Sequence, residues 1–184
     1  MTTSINSIDS LTSSISVGGS EAFRFNSSGI TSGVGNRLAQ TQHLQTGALM
    51  SGTTLMSAND VIPQQTQGDQ YMALTITPTN ALSILEIDVT AHCAASVAQE
   101  YAILALFRDS TAAALAAMIT VTGNFVGGMC IVTFKHRVSA GAITASTFKI
   151  RGGATSGTFY LNGSSVRRLG GVMASTMTIK EYLP

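Results

Sequence analysis

"QYMALTITPTNALSILEIDV", residues 70–89, sets two short alternating runs on either side of a turn. Met72, Leu74 and Ile76 share one face of an extended chain, and Leu85, Ile87 and Val89 share one face of the next. Side chains alternate along a strand with period two, so each run has one apolar and one polar side. Pro78-Thr79-Asn80 turns the chain between them. This segment predicts two strands that each put one face into a core.

The same texture continues to the C-terminus. "YAILALF" (101–107) is apolar on both faces and is expected to be a central strand. "ALAAMITV" (114–121) is rich in alanine, but Ile119, Thr120, Val121 and Thr122 favour a strand running into a Gly123-Asn124 turn. "GMCIVTFKHRV" (128–138), "ITASTFKIR" (143–151), "GTFYLN" (157–162) and "VMASTMTIKEY" (172–182) bring the total to about eight strands with no convincing long helix. The last two read as an antiparallel hairpin, with Asn162-Gly163 opening its connection and Gly170-Gly171 permitting tight backbone. The expected fold class is all-β, a jelly-roll-like antiparallel β-sandwich over residues 69–184.

Two further regions precede it. Residues 23–68 are glycine-rich and poor in charge, and are expected to form an extended connector. Residues 1–22 form a polar arm rich in Ser, Thr and Asn, either extended or a short helix. Met1, Ile5, Ile8, Leu11 and Ile15 fall at spacings that suit one helical seam, but so many Ser and Thr residues make too weak a helix to stand alone. An arm of this composition orders only through contacts that offset its entropy, which favours one laid on a neighbour.

Charge narrows the function. Charged residues make up 10% of the 184 and Trp is absent. A surface so poor in charge is covered either by small polar side chains or by other copies of the chain. The net charge of +1 argues against a nucleic-acid partner. It divides unevenly: residues 1–109 hold three basic residues against eight acidic ones, a net of −5, and residues 110–184 hold seven against one, a net of +6. The two halves are expected to neutralise each other across strands or subunits, with Arg167 or Arg168 meeting a carboxylate such as Asp88 or Asp109. The alternative is a basic patch for an anionic glycan.

The chemistry-bearing residues form no recognisable engine. His43, His92 and His136 lie far apart, and Cys93 and Cys130 match no metal spacing, so no metal and no cofactor is expected. The two cysteines read as small buried thiols in a reducing compartment, with a disulfide left open. No nucleophile-elbow motif occurs, and the glycines at 33 and 35 lack the strand-then-helix setting of a phosphate loop. Glu86 and Asp88 share one strand face and are the pair that a glycan-cleaving enzyme would need, against the plainer reading of a solvated face. No catalytic residue is assigned. Neither a signal peptide nor an apolar run of membrane-spanning length is present, so no membrane insertion is expected.

Three phrases carry a resemblance. "VIPQQTQGDQYMALTITPTNALSILEIDV" (61–89), "ALFRDSTAAALAA" (105–117) and "TFKIRGG" with "FYLNGSSVRRLGGVMASTMTIKEY" (147–182) resemble the C-terminal β-domain, or knob, of bacteriophage tail fibre and head fibre proteins. The resemblance covers about residues 60–184. It implies a homotrimeric, non-enzymatic module on the surface of a virion assembled in the host cytoplasm, partnered by the major capsid protein or a tail protein. A short arm in place of a long shaft fits a capsid decoration, cement or short head-fibre protein, with Ile5, Ile8, Leu11 and Ile15 as the anchoring residues. The alternative is a tail fibre or tail-needle-type knob for host attachment, contacting a host surface glycan through Tyr160 and Arg167.

Overall fold

The computed structural model describes residues 37–184 in full and, of the first 36, the backbone of residues 3–7, 12–17, 20–26 and 29–32. That N-terminal part contributes strands β1 (Thr3–Ser7), β2 (Thr12–Val17), β3 (Ser20–Asn26) and β4 (Gly29–Ser32), paired in sequence order as a four-stranded antiparallel sheet. Ile5 lies opposite Ile15 in the β1/β2 register. The backbone here is therefore extended, and the helical seam expected from the isoleucine spacing does not form at these two positions. Ile8 and Leu11 lie outside the described residues. The expected boundary between arm and connector, at residues 22 and 23, falls inside β3.

The body comprises β5 (Arg37–Thr46), β6 (Met50–Gly52), β7 (Asp69–Ile76), β8 (Ile84–Ala95), β9 (Tyr101–Arg108), β10 (Ala116–Val121), β11 (Met129–Ser139), β12 (Ser146–Ala154), β13 (Phe159–Leu161) and β14 (Ser175–Leu183). One sheet has the order β10-β9-β12-β7; in the other β5, β14, β8 and β11 lie side by side, and β13 and β6 extend it. Setting aside the short β6 and β13, the first strand of the body pairs the last, the second pairs the next to last, and so inward to the β9/β10 hairpin. A long hairpin wound on itself in this way is a jelly roll, the fold class that the alternating runs predict.

The opening segment acquires a specific geometry. β7 and β8 do not pair with each other; they lie in opposite sheets, so the Pro78-Thr79-Asn80 turn carries the chain from one layer to the other. Along β8, Leu85, Ile87, Val89, Ala91, Cys93 and Ala95 are fully buried between the sheets. Across from them lie Met72 and Ile76 of β7, Leu104 and Leu106 of β9, and Phe148 and Ile150 of β12, while Met177 and Ile179 of the adjacent β14 extend the same inner face.

β9 is buried on both faces, as its sequence requires. Ala102, Leu104 and Leu106 face the inter-sheet core, while Ile103, Ala105 and Phe107 pack beneath Met56. Met56 belongs to a strap, residues 53–68, held by a Met56 N–H bond to the Ala154 carbonyl and by Gln65 Nε2 bonds to the Asp109 and Thr111 carbonyls. Gly153 sits under the strap: a Cβ there would lie 2.8 Å from Met56 Cγ and 2.8 Å from the Thr54 carbonyl oxygen. The glycine is the clearance that lets the strap lie down.

Two expectations need correction. The segment 37–52, placed in the connector, supplies β5 and β6, so the body begins at Arg37 and only the strap, which itself turns at Gln64–Gln67, lies outside the strands. "GTFYLN" and "VMASTMTIKEY" are strands but not partners. β14 pairs β8 from Ile84 to Thr90 and β13 pairs the same side of β8 from Cys93 to Ala95, so the two lie end to end.

Candidate functional site

The outward face of the β5-β14-β8-β11 layer joins Glu86 and Asp88, singled out in the sequence, to basic residues of the neighbouring strands. Cross-strand register sets Lys180, Glu86 and Arg137 in one row and His43, Thr178, Asp88 and Lys135 in the next. Arg137 Nε donates to Glu86 Oε2 at 2.8 Å, and Lys135 Nζ reaches Glu86 Oε1 at 3.4 Å and Asp88 Oδ2 at 3.2 Å. The Arg137 guanidinium also lies 5.5 Å above the Tyr182 ring, and His43 Nδ1 is 2.9 Å from Thr178 Oγ1. Two carboxylates of the acidic half, Glu86 and Asp88, are thus neutralised across strands of one sheet by two cations of the basic half, whereas Asp109 meets Arg108 of its own half.

This geometry speaks against the glycan-cleaving pair. Burial pushes the Glu86 carboxyl pKa upward, but the bonds from Arg137 and Lys135 outweigh it and hold it below the ordinary glutamate value. A general acid must keep a proton near neutral pH, whereas this carboxylate has two cationic partners that favour its ionised form. Among the described residues no three His, Cys, Asp or Glu side chains gather where a metal could bind. No helix among them is long and apolar enough to cross a membrane.

The arginine-glycine stretch is a turn. Leu169, Gly170 and Gly171 form a short 3₁₀ segment with positive φ values of 46°, 64° and 91°. Arg168 donates to Ser164 Oγ at 2.8 Å, and the Arg167 stem lies against Gly171, where a Cβ would come within 3.1 Å of Arg167 Cδ. The expected pairing of Arg167 or Arg168 with Asp88 or Asp109 does not occur within the chain. Asp88 is taken by Lys135, and Asp109 by Arg108 at 3.6 Å and the Thr147 N–H at 2.7 Å. Tyr160 sits half-buried on β13 between Ser51 and Ala94, on the opposite face from the core residues Phe159 and Leu161.

Two buried polar residues whose roles the sequence did not signal tie the body together near opposite ends of β14. Asn162, fully enclosed with φ of 60°, donates from Nδ2 to the Thr46 and Ala48 carbonyls at 2.7 and 3.1 Å and accepts from Ser175 Oγ at 2.7 Å. Its Asn-Gly dipeptide signalled the turn but not this buried knot. Glu181 has no accessible surface, yet it carries a carboxylate between β14, β5 and the turn from β7 to β8. Thr79 N, Thr79 Oγ1 and Asn80 N donate to Oε1 at 2.8, 2.9 and 3.2 Å, and Gln40 Nε2 donates to Oε2 at 2.7 Å.

The apolar surface is concentrated elsewhere. β10 and β11 are edge strands of the two sheets, lying next to each other on one flank. Met118, Ile119 and Val121 of β10, Ile131 of β11, and Phe125 and Val126 between them are exposed, Phe125 by 64% and Val126 by 73%. Phe125 and Leu169 line a hollow of about 470 Å³ together with Met129, Arg168 and Met173. A flank that combines unpaired backbone edges with bare aliphatic and aromatic side chains favours association with another surface.

No protein-family model and no curated protein sequence matches the chain. Among solved structures it is similar to a chain of the infectious bursal disease virus Gx strain, at 11% identity and a TM-score of 0.39, covering 94% of this chain and 46% of that one. Similar too are a chain of the T=1 particles derived from the same virus (12% identity, TM-score 0.36, 94% and 45% covered) and one of its VP2 subviral particle (13%, 0.32, 94% and 47%). The chain spans less than half the length of the viral chains it matches.

Proposed function

We propose that this chain is a non-enzymatic structural protein of a bacteriophage particle. In this reading it is a homotrimeric surface appendage, a capsid decoration, cement or short head-fibre protein, attached through its N-terminal region. The observation that carries the reading is the exposed apolar flank of β10 and β11 on a jelly-roll body, which suits packing against copies of the same chain. Jelly rolls recur in viral capsid and lectin domains, so the fold is compatible with assembly but does not by itself assign it. The fibre-like phrases in the sequence and the low charge agree with it.

Light scattering on the purified full chain tests the assembly. A trimer is expected, and Val121→Lys combined with Ile131→Lys should yield folded monomer; a wild-type monomer at micromolar concentration contradicts the reading. Attachment is tested separately, by deleting residues 1–22 and measuring incorporation into particles. Incorporation at the wild-type level removes the anchoring role of Ile5, Ile8, Leu11 and Ile15.

The second reading is a tail fibre or tail-needle-type knob for a host surface glycan. It keeps Arg167, whose guanidinium meets no carboxylate among the described residues, and the outward Tyr160. Binding of the chain to host cells at low salt that is lost in Arg167→Ala and Tyr160→Ala supports it, and no binding to cells or purified glycan ends it.

A further inference from the structure

We propose that Cys93 and Cys130 close into a reversible intrachain disulfide that staples edge strand β11 to central strand β8, with a small-molecule disulfide as the oxidant. The register places the two residues directly opposite each other in the β8/β11 ladder. Directly opposed residues of an antiparallel pair put their side chains on the same face, with Cα atoms roughly 4.5–5.5 Å apart, inside the span a disulfide bridges. That face is the core: Cys93 is buried among the inter-sheet residues and Cys130 packs against them. Cys130 Sγ already leans across the ladder, 3.5 Å from the Cys93 carbonyl oxygen. Both are free thiols.

Their unequal burial sets the order of reaction. Cys130 is partly accessible on an edge strand, while Cys93 has no accessible surface. Deprotonated Cys130 attacks one sulfur of oxidised glutathione, forming a mixed disulfide and expelling a glutathione thiolate that takes up a proton. Cys93 then loses its proton and attacks the Cys130 sulfur, forming the Cys93–Cys130 bond and releasing the second glutathione. Two protein thiols are oxidised and one glutathione disulfide is reduced to two thiols. Burial pushes the Cys130 thiol up to about 11 and raises Cys93 well above its ordinary value, so both steps are slow at neutral pH and quicken as pH rises. The thiols therefore persist in a reducing compartment and close on long exposure to an oxidising one. This inference does not depend on the proposed function.

The test incubates the full-length chain in its native state with oxidised glutathione at pH 7 and at pH 9, then quenches with acid and an alkylating agent. Peptide mapping by mass spectrometry is expected to find a Cys93–Cys130 cross-link within single chains, forming faster at pH 9 and undone by dithiothreitol. The oxidised protein should also unfold at higher guanidinium concentration than the reduced one. Cys93→Ser should stop at the Cys130–glutathione adduct, and Cys130→Ser should leave Cys93 unmodified. Both thiols remaining free in the native chain, while a guanidinium-unfolded control cross-links, overturns the proposal. So does wild-type protein that accumulates only the glutathione adduct or only cross-links between chains.

Discussion

Replacing Glu181 by glutamine and by alanine probes how this body is closed. The carboxylate accepts four hydrogen bonds from neutral donors, and no cationic side chain is bonded to it among the described residues. In Glu181→Ala the Thr79 hydroxyl can rotate, and Gln40 keeps its second bond to the Thr77 carbonyl at 2.8 Å. The part-buried N–H groups of Thr79 and Asn80 then lose their acceptor. At the lower part of the range of about 1–3 kcal/mol for each stranded donor, because water reaches this turn, the alanine variant should lose about 3 kcal/mol, a large share of a domain's usual stability. Glutamine keeps one oxygen for the Thr79 and Asn80 donors but removes the charge that strengthens those bonds, and it faces Gln40 with an amide; about 2 kcal/mol is expected.

The pH dependence adds a second readout. Burial raises the Glu181 pKa, but the bonds from Gln40 and Thr79 outweigh it and leave the folded-state value below that of an ordinary glutamate. The unfolded state therefore binds the proton more readily. The stabilisation is fully present above the ordinary glutamate pKa and is lost as pH falls through the lower folded value. Urea midpoints measured at fixed protein concentration from neutral pH down into the acid range should show a steep acid limb in wild type and a shallower one in Glu181→Gln. A glutamine variant as stable as wild type at pH 7, with an unchanged acid limb, would refute this account of the latch.

Three further outcomes are expected. Gly153→Val drives a branched side chain into Met56 and the Thr54 carbonyl, so the strap should lift, with a loss of about 2 kcal/mol in urea and faster proteolysis within residues 53–68. Asn162→Ala removes two donors to the Thr46 and Ala48 carbonyls and puts alanine at φ 60°; a loss of about 3 kcal/mol is expected, and a change under about 1 would contradict the knot. Arg137→Met leaves Glu86 to Lys135 alone; because Arg137 is half-exposed the cost should be about 1 kcal/mol, greatest at low salt and vanishing in acid as Glu86 protonates.

What could be read from the sequence follows from where burial is one-sided or two-sided. β7 and β8 announce themselves because one face of each is aliphatic and the other is not, and β9 because the strap covers its second face. β5 escaped notice for a physical reason. It is an edge strand whose inward positions carry Gln40 and Gln42 in place of aliphatic residues, and Gln40 is there to bond Glu181. β13 is three residues long, too short for periodicity to register. The Asn162-Gly163 turn was legible as a turn, but that β13 and β14 share one side of β8 is set by the length of β8, which no local pattern states. The ion network on the outer sheet was half legible: the charge asymmetry and the Glu86/Asp88 spacing pointed to it, but the partners Lys135 and Arg137 come from register. Asn162 and Glu181 gave no signal because a buried polar residue is identified by what surrounds it.

The pairing of β5 with β14 has a consequence for synthesis. Among the described residues β5 has no other strand partner, and the Gln40–Glu181 bond spans 141 positions of sequence. During translation β5 leaves the ribosome early and then waits, edge bare, while every other strand of the body is made. Pairings this distant in sequence form late and leave nascent chains open to association. A nascent chain that meets another copy in that interval has an unfilled place for the neighbour's β14, so exchange of this strand between chains is the misfolding route that the topology leaves open.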